Sequence, residues 1–302
     1  MPLPPSFAKA GFGGVVTTRK QVILRNGRKL KPVMIGTEGE QNTGKTEFLF
    51  SVPGPGIILC YDRNFEAALD NPNPPPARRP VHDNYALKAV TAPMNGTLAD
   101  MKGYTDYFIA CRKEFYTALD IPEAVSVMAD GDSDFFELQV LATFGKTQGI
   151  FPQTRWGDVY APKRAMIARA WGSGKIIVST NKLTDEYVEI IGANGLPEID
   201  QQTGLPKKVK TGNLKRQGFK DNKYLYNIQI RHLHRDGGVK VIEKGPLKGK
   251  EVKVPGQFGL VILECKVNTE LKGAELWGDK CNFRGLMELV YPNVDPRDFG
   301  LD

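Results

Sequence analysis

The sequence predicts an α/β protein: a mostly parallel sheet flanked by helices, with an antiparallel β extension at the C-terminal end. Three observations predict it. Short apolar runs recur at 33–35, 57–62, 125–130 and 175–181, with helical segments between them. A glycine-rich loop joins the first run to a short helix. From about residue 222 the texture changes to strand-like segments joined by Gly-rich turns. With 41% hydrophobic and 25% charged residues over 302 positions, a mostly disordered or fibrous chain is excluded. The length allows a core of useful size without disulfide or metal staples.

Residues 1–16 carry Pro and Gly with little periodicity and read as a loose arm. A core from 17 to 235 follows, then a β-rich extension from 236 to 302. Residues 17–33 read as a hairpin, because Val22-Ile23-Leu24 leads into Asn26-Gly27, the favoured two-residue turn. Val33-Met34-Ile35 is the first core strand, and a helix runs from about 45 to 51 until Pro53-Gly54-Pro55-Gly56 stops it. Ile57-Ile58-Leu59-Cys60-Tyr61-Asp62 is a buried strand ending in an acid. Residues 71–80 are a Pro-rich surface loop. Residues 97–119 form a long helix capped by Thr97, with Leu98, Met101, Tyr104, Phe108, Cys111 and Phe115 on one face. Val125-Ser126-Val127-Met128-Ala129-Asp130 is a second strand ending in an acid. Helices follow at about 133–143 and 161–171, the latter with Pro162 in its first turn. Strand 175–181 ends in Asn181. Beyond 222 the segments 224–233, 239–243, 251–254 and 260–267 read as strands, either extending the same sheet or forming a small appendage.

No stretch is apolar for the ~18 residues that a membrane span needs, and the start has no basic n-region of a signal peptide. Cys60, Cys111, Cys265 and Cys281 are scattered, which argues against a disulfide framework or structural zinc and for a cytoplasmic setting. His232 and His234 share a strand face with no Cys or third His nearby, and read as a surface pair.

The segment Gly39-Glu40-Gln41-Asn42-Thr43-Gly44-Lys45-Thr46 matches G-x-x-x-x-G-K-[ST]. Glycines let backbone N–H groups converge on phosphate oxygens, and the helix N-terminus adds its positive end. Lys45 would reach the terminal phosphates and the Thr46 hydroxyl would bind Mg²⁺. Glu38 and Glu40 place acids on or beside this loop. Hydrolysis also requires an acid to orient the metal and another to activate water. Asp130, ending its strand, is the metal-orienting candidate; Asp62, then Glu66, are the candidates for water activation. Asn181 either senses the terminal phosphate or is an ordinary strand terminus.

In this order the parts resemble the RecA-like core of P-loop ATPases over about residues 30–235. More narrowly they resemble small phage-encoded RecA-like nucleotide-binding proteins, some of which act in single-strand annealing or recombination. The resemblance implies ATP and Mg²⁺ as cofactors, ATP hydrolysis and single-stranded DNA as a partner. It also implies a homo-oligomer, and an annealing or single-strand-binding protein as a further partner. In that family the catalytic glutamate follows the second strand, where this chain has Asp62-Arg63-Asn64. The family's two DNA-binding loops correspond to about 144–160 and 183–220. The first contains Phe144, Lys146, Phe151, Arg155, Trp156 and Tyr160, which either stack on bases or pack on the core. Within the second, residues 201–220 hold Lys207, Lys208, Lys210, Lys215, Arg216 and Lys220 and no acid. These six cations compare with a whole-chain excess of seven, so the net charge of +7 sits largely in one segment.

Other readings stand beside this one. Val178-Ser179-Thr180-Asn181-Lys182 resembles the guanine-specifying Asn-Lys-x-Asp, but Thr184 holds the acid's place and Asp185 falls one position late. A module holding nucleotide for structure alone is a third reading, and a small-molecule kinase a fourth, although no lid motif is evident.

Overall fold

The computed structural model describes residues 20–62, 85–90, 92–93, 98, 100–145, 156–202, 204, 206–219, 221–241 and 251–301. The expected arm at 1–16, Glu66, the 71–80 loop, Thr97, Lys220 and positions 146–155 of the first basic-aromatic segment lie outside the described residues.

The strands are β1 (Met34–Gly39), β2 (Gly56–Cys60), β3 (Tyr85–Ala89), β4 (Ser126–Asp130), β5 (Ile176–Glu189), β6 (Lys208–Arg216), β7 (Ile228–Arg235), β8 (Gly238–Val241), β9 (Glu251–Val254), β10 (Gln257–Cys265) and β11 (Glu275–Trp277). The helices are α1 (Lys45–Leu49), α2 (Met101–Asp120), α3 (Asp132–Phe144), α4 (Trp156–Gly172), α5 (Asn222–Leu225) and α6 (Phe283–Val290). One sheet runs β11-β10-β7-β1-β5-β4-β2-β3, and β6 pairs with β5 off this path. From β7 to β3 the pairings are parallel. β10 and β11 add antiparallel strands beside β7, so most of the C-terminal extension continues the same sheet. β8 and β9 form a separate two-stranded ribbon.

Period-two alternation sorts the strand side chains into two cores. Ile35, Ile58, Cys60, Met128, Ile176 and Val178 face α1 and α6, where Phe48, Leu49, Phe283 and Leu286 are buried. Met34, Ile57, Leu59, Val127, Ala129 and Ile177 face α2, α3 and α4. Each fully buried Leu, Ile, Val, Phe or Met contributes roughly 1.5–3 kcal/mol by leaving water. A parallel sheet covered on both faces accounts for the continuous apolar runs that mark these strands in the sequence. All four cysteines are buried free thiols.

Several expectations are corrected. The hairpin expected at 17–33 is reduced, among the described residues, to one bridge between Ile23 and Lys29 around the Asn26-Gly27 turn. The cap of α2 is Asp100, whose carboxylate accepts from the Gly103 N–H at 2.8 Å, and the helix starts four residues later than expected. Helix α4 begins at Trp156, with Pro162 inside it rather than opening it. The edge strand β3 carries no strong pattern and was not expected. The largest difference is at 183–220. In place of a loop, β5 continues to Glu189 and pairs antiparallel with β6, giving a two-stranded arm.

Candidate functional site

The C-terminal ends of β1, β2 and β4 and the middle of β5 meet at the glycine-rich loop. The alternation that buries Ile35, Cys60, Met128 and Val178 against α1 carries on past the core. It therefore places Thr37, Asp62, Asp130, Thr180 and Lys182 on the α1 side of the sheet.

The loop is held by its own backbone. Gly44, the residue before α1, has φ 82°, and Asn42 has φ 61°, left-handed conformations that turn the chain from strand into helix. A Cβ at Gly39 would lie 2.5 Å from the Thr43 hydroxyl and 3.1 Å from the His232 Cβ, so only glycine fits there. The Thr43 hydroxyl donates to the Glu40 carbonyl at 2.9 Å. Lys45 Nζ donates to the carbonyls of Gly39 at 3.0 Å and Glu40 at 2.5 Å, so its ammonium crosses the mouth of the loop. Burial lowers its pKa, while Asp130 and Asp62 oppose that shift. Gln41 is exposed and makes the outer turn.

Thr46, on the first turn of α1, donates its hydroxyl to Asp130 Oδ2 at 2.9 Å. Thr180 donates to the other oxygen at 2.6 Å and itself accepts from the Gly131 N–H at 2.9 Å. Strand β5 lies between β1 and β4, so these two bonds tie the helix that follows the glycine-rich loop to the acid across the intervening strand. Asp130 is 1% exposed. Burial and the nearby Asp62 raise its pKa to about 6, against the two threonine hydrogen bonds and Lys45. Asp62 and Asp134 are close by: a Cβ at Gly131 would sit 3.1 Å from Asp62 Cβ and 3.0 Å from Asp134 Oδ2.

The Asp130 shift has a measurable consequence. Between about pH 4 and 6 the folded protein keeps a proton that the unfolded chain has lost, so stability falls as pH rises through this window and is level above it. Asp130→Asn carries no such charge. At pH 8 it is expected to be more stable than the parent by about 1–3 kcal/mol, with the gain shrinking toward pH 4. Thermal unfolding of both proteins across that range checks this; a difference independent of pH would refute it.

Glu38 is neutralised by its neighbours. Its carboxylate is bracketed by Arg216 Nε at 2.9 Å and by Arg231 Nε at 2.8 Å and Nη2 at 2.6 Å, and is buried. The strand entering the loop therefore carries an acid whose charge is already paired. Glu40 uses only its carbonyl here, and its side chain is exposed. Asn181 lies on the other face of β5. Its amide donates to the Thr37 carbonyl at 3.1 Å, and its oxygen has no hydrogen-bond partner among the described residues.

The basic residues expected to meet DNA are divided by the structure. Lys207, Lys208, Lys210 and Lys215 lie on the arm and are exposed. Lys207 pairs with Glu198 at 3.3 Å and Lys210 with Asp185 at 2.8 Å, whereas Lys208 and Lys215 have no ion pair among the described residues. Arg216 is committed to Glu38. Trp156 packs against Phe144 and Tyr160 with ring centroids 5.7 and 5.6 Å apart, so it belongs to the core-side aromatic cluster. His232, expected at the surface, is buried with its ring edge-on to Phe48 at 5.3 Å.

Sequence reasoning missed Thr180, Ser133, Asp134 and the location of Lys182. The run Asp130-Gly131-Asp132-Ser133-Asp134 and the parity of Val178, Thr180 and Lys182 were the available signals.

The donor set fits a phosphate-bound Mg²⁺ better than a free metal site. Among the described residues no group of three His, Cys, Asp or Glu is arranged to hold a metal. Mg²⁺ characteristically takes one or two protein oxygens plus phosphates and waters, and Thr46 with Asp130 supplies such a pair. The buried Thr37 hydroxyl, without a partner among the described residues, lies beneath the loop. No helix of the described residues is long and apolar enough to cross a membrane. No known protein-family profile matches the chain, and no curated protein matches it in sequence.

Proposed function

We propose that the chain is a RecA-like P-loop ATPase that binds ATP with Mg²⁺ at residues 39–46 and single-stranded DNA along the β5–β6 arm. The observation that carries this reading is the Thr46–Asp130 hydrogen bond at 2.9 Å. It brings the hydroxyl that follows the loop lysine to a buried acid at the end of a different strand, the juxtaposition a nucleotide-bound metal requires. Lys45 would hold the terminal phosphates once their oxygens replace the two loop carbonyls. We assign to Asp62, which lies beside Gly131 close to Asp130, the orienting of water. Single-stranded DNA fits the exposed lysines of the arm and the exposed Tyr187 opposite Lys210, because cations follow the backbone and an aromatic face accepts any base. Such a protein would act in phage-type recombination, annealing or replication, as a homo-oligomer in the cytoplasm.

The test is ATP turnover measured with and without single-stranded DNA. No ATP binding or turnover in either condition refutes the reading. A second reading, nucleotide held with little turnover, is favoured by Lys45 being engaged by its own loop and by Asp62 standing where a glutamate is expected. Tight ATP binding with negligible turnover would select it.

Replacing Lys207, Lys208, Lys210 and Lys215 with Ala is expected to weaken single-strand binding at least tenfold at low salt. The dependence of log K on log salt should flatten by about 0.7 for each phosphate that is no longer neutralised. An unchanged slope would place the DNA elsewhere.

A further inference from the structure

The α1 side of the sheet carries a second lysine that the loop motif does not include. In register Lys182 stands beside Gly39, the first residue of the phosphate loop, on the neighbouring strand β5. Adjacent strands lie about 5 Å apart, so the lysine's backbone is at the edge of the loop. That backbone is fixed on both sides: its N–H donates to the Ser133 hydroxyl at 2.9 Å, and its carbonyl accepts from the Gln217 N–H at 2.8 Å. The side chain is held more loosely. Its Nζ pairs with Asp134 Oδ1 at 2.7 Å, with the lysine 39% and the aspartate 25% exposed. A pair whose lysine is open to water on one side is weaker and more readily exchanged than a fully buried one.

The contrast within α3 is instructive. Asp132, two residues earlier, pairs with Lys163 where both side chains are at most 4% exposed. That pair faces the other core and is locked. Asp134 holds a half-exposed lysine beside the acids of the site, and its second oxygen is buried without a hydrogen-bond partner among the described residues. Lys182 is also near enough to Lys45 to lower that residue's pKa, so the two ammonium groups share one electrostatic neighbourhood.

Resting on the nucleotide-site reading above, we infer that Lys182 is a second phosphate-binding lysine. It leaves Asp134 for the terminal phosphate of a bound nucleoside triphosphate and so distinguishes triphosphate from diphosphate. Two features of the fold favour this exchange. A flexible four-carbon stem on a fixed backbone lets the ammonium swing without moving the strand. A terminal phosphate also offers more charge and more acceptor oxygens than one carboxylate. Asn181, the residue expected to sense that phosphate, projects from the opposite face of β5, whereas Lys182 shares a face with Thr180 and Asp130. Because β5 continues unbroken into the arm, the lysine also sits where nucleotide state and arm position meet.

The test is titration of a non-hydrolysable ATP analogue and of ADP, each with Mg²⁺, into the wild-type protein, Lys182→Met, Lys182→Arg and Lys45→Ala. Lys182→Met is expected to lose tenfold or more in affinity for the triphosphate with the ADP affinity unchanged, and Lys182→Arg is expected to recover most of the loss. Triphosphate affinity unchanged in Lys182→Met overturns the assignment. Equal losses for both nucleotides also overturn it, because the lysine would then shape the loop rather than discriminate. Wild-type protein that binds neither nucleotide overturns the phosphate-loop reading itself. Wild-type binding that Lys45→Ala weakens, with Lys182→Met indistinguishable from wild type, overturns this inference alone.

Discussion

Lys45→Ala is expected to lower ATP affinity by about a hundredfold or more and to reduce turnover to background. The size follows from charge and position. A charge-assisted hydrogen bond to phosphate is roughly twice as strong as a neutral one, and here it forms in a partly buried setting where water competes poorly. Lys45 Nζ already lies over the loop, 3.0 Å from the Gly39 carbonyl, so little reorganisation is needed to reach a bound phosphate. The unliganded protein is expected to keep its stability within about 1 kcal/mol, because burial disfavours the lysine's charge and its removal relieves that cost. Binding isotherms and thermal unfolding together distinguish loss of the site from loss of the fold. An affinity for ATP unchanged from the parent would remove the phosphate-loop assignment.

Glu38→Ala is expected to have the largest effect on stability, about 2–4 kcal/mol, read as a fall of roughly 5–10 °C in Tm. Its carboxylate is buried and is the shared counter-charge of Arg216 and Arg231. Removing it leaves two guanidinium groups facing each other, Arg216 with only 13% of its side chain open to water. Arg231 is more exposed, at 31%, which tempers the loss. Glu38→Gln keeps the acceptor oxygen and should lose less. The same clamp joins the base of the arm to the strand that enters the glycine-rich loop, so the substitution should also loosen the arm. Hydrogen exchange of residues 208–216 would report that change. A loss below 1 kcal/mol with unaltered exchange in the arm would show that the triad neither stabilises nor couples the two parts.

Much of the architecture was legible because it rests on local signals. A short continuous apolar run bounded by turn residues suits a strand in a sheet covered on both faces, which is why 57–60 and 125–130 read correctly as strands. The G-x-x-x-x-G-K-T spacing encodes a strand, a tight loop and a helix N-terminus in eight consecutive residues. Thr46 and Asp130 were each legible as metal-site candidates because each sits at the end of its element; their hydrogen bond came from the structure. The weaker elements were misread for equally physical reasons. The arm strand β6 is polar and exposed, so it has no buried face and no alternation to betray it. Its partner β5 changes after Asn181 from wholly buried to half-buried and exposed, where a reader of hydrophobicity sees a strand end. Thr97 and Asp100 are both good caps, and propensity alone does not choose between them.

What the sequence determined by itself is the class of the sheet, the loop and the two acids at the ends of β2 and β4, because each is written in neighbouring residues. What only the tertiary structure decided is which charges meet. Glu38 finds Arg216 and Arg231 from 178 and 193 residues away, and Lys182 finds Asp134 from 48. Those partners are set by topology: β7 flanks β1 and carries Arg231, β6 pairs with the other neighbour β5 and carries Arg216, and α3 follows β4 and carries Asp134. The basic segment thereby separates into one arginine committed to the fold and four exposed lysines, of which Lys207 and Lys210 are ion-paired within the arm. Charge pairing depends on distance in space, and a linear sequence does not contain that distance.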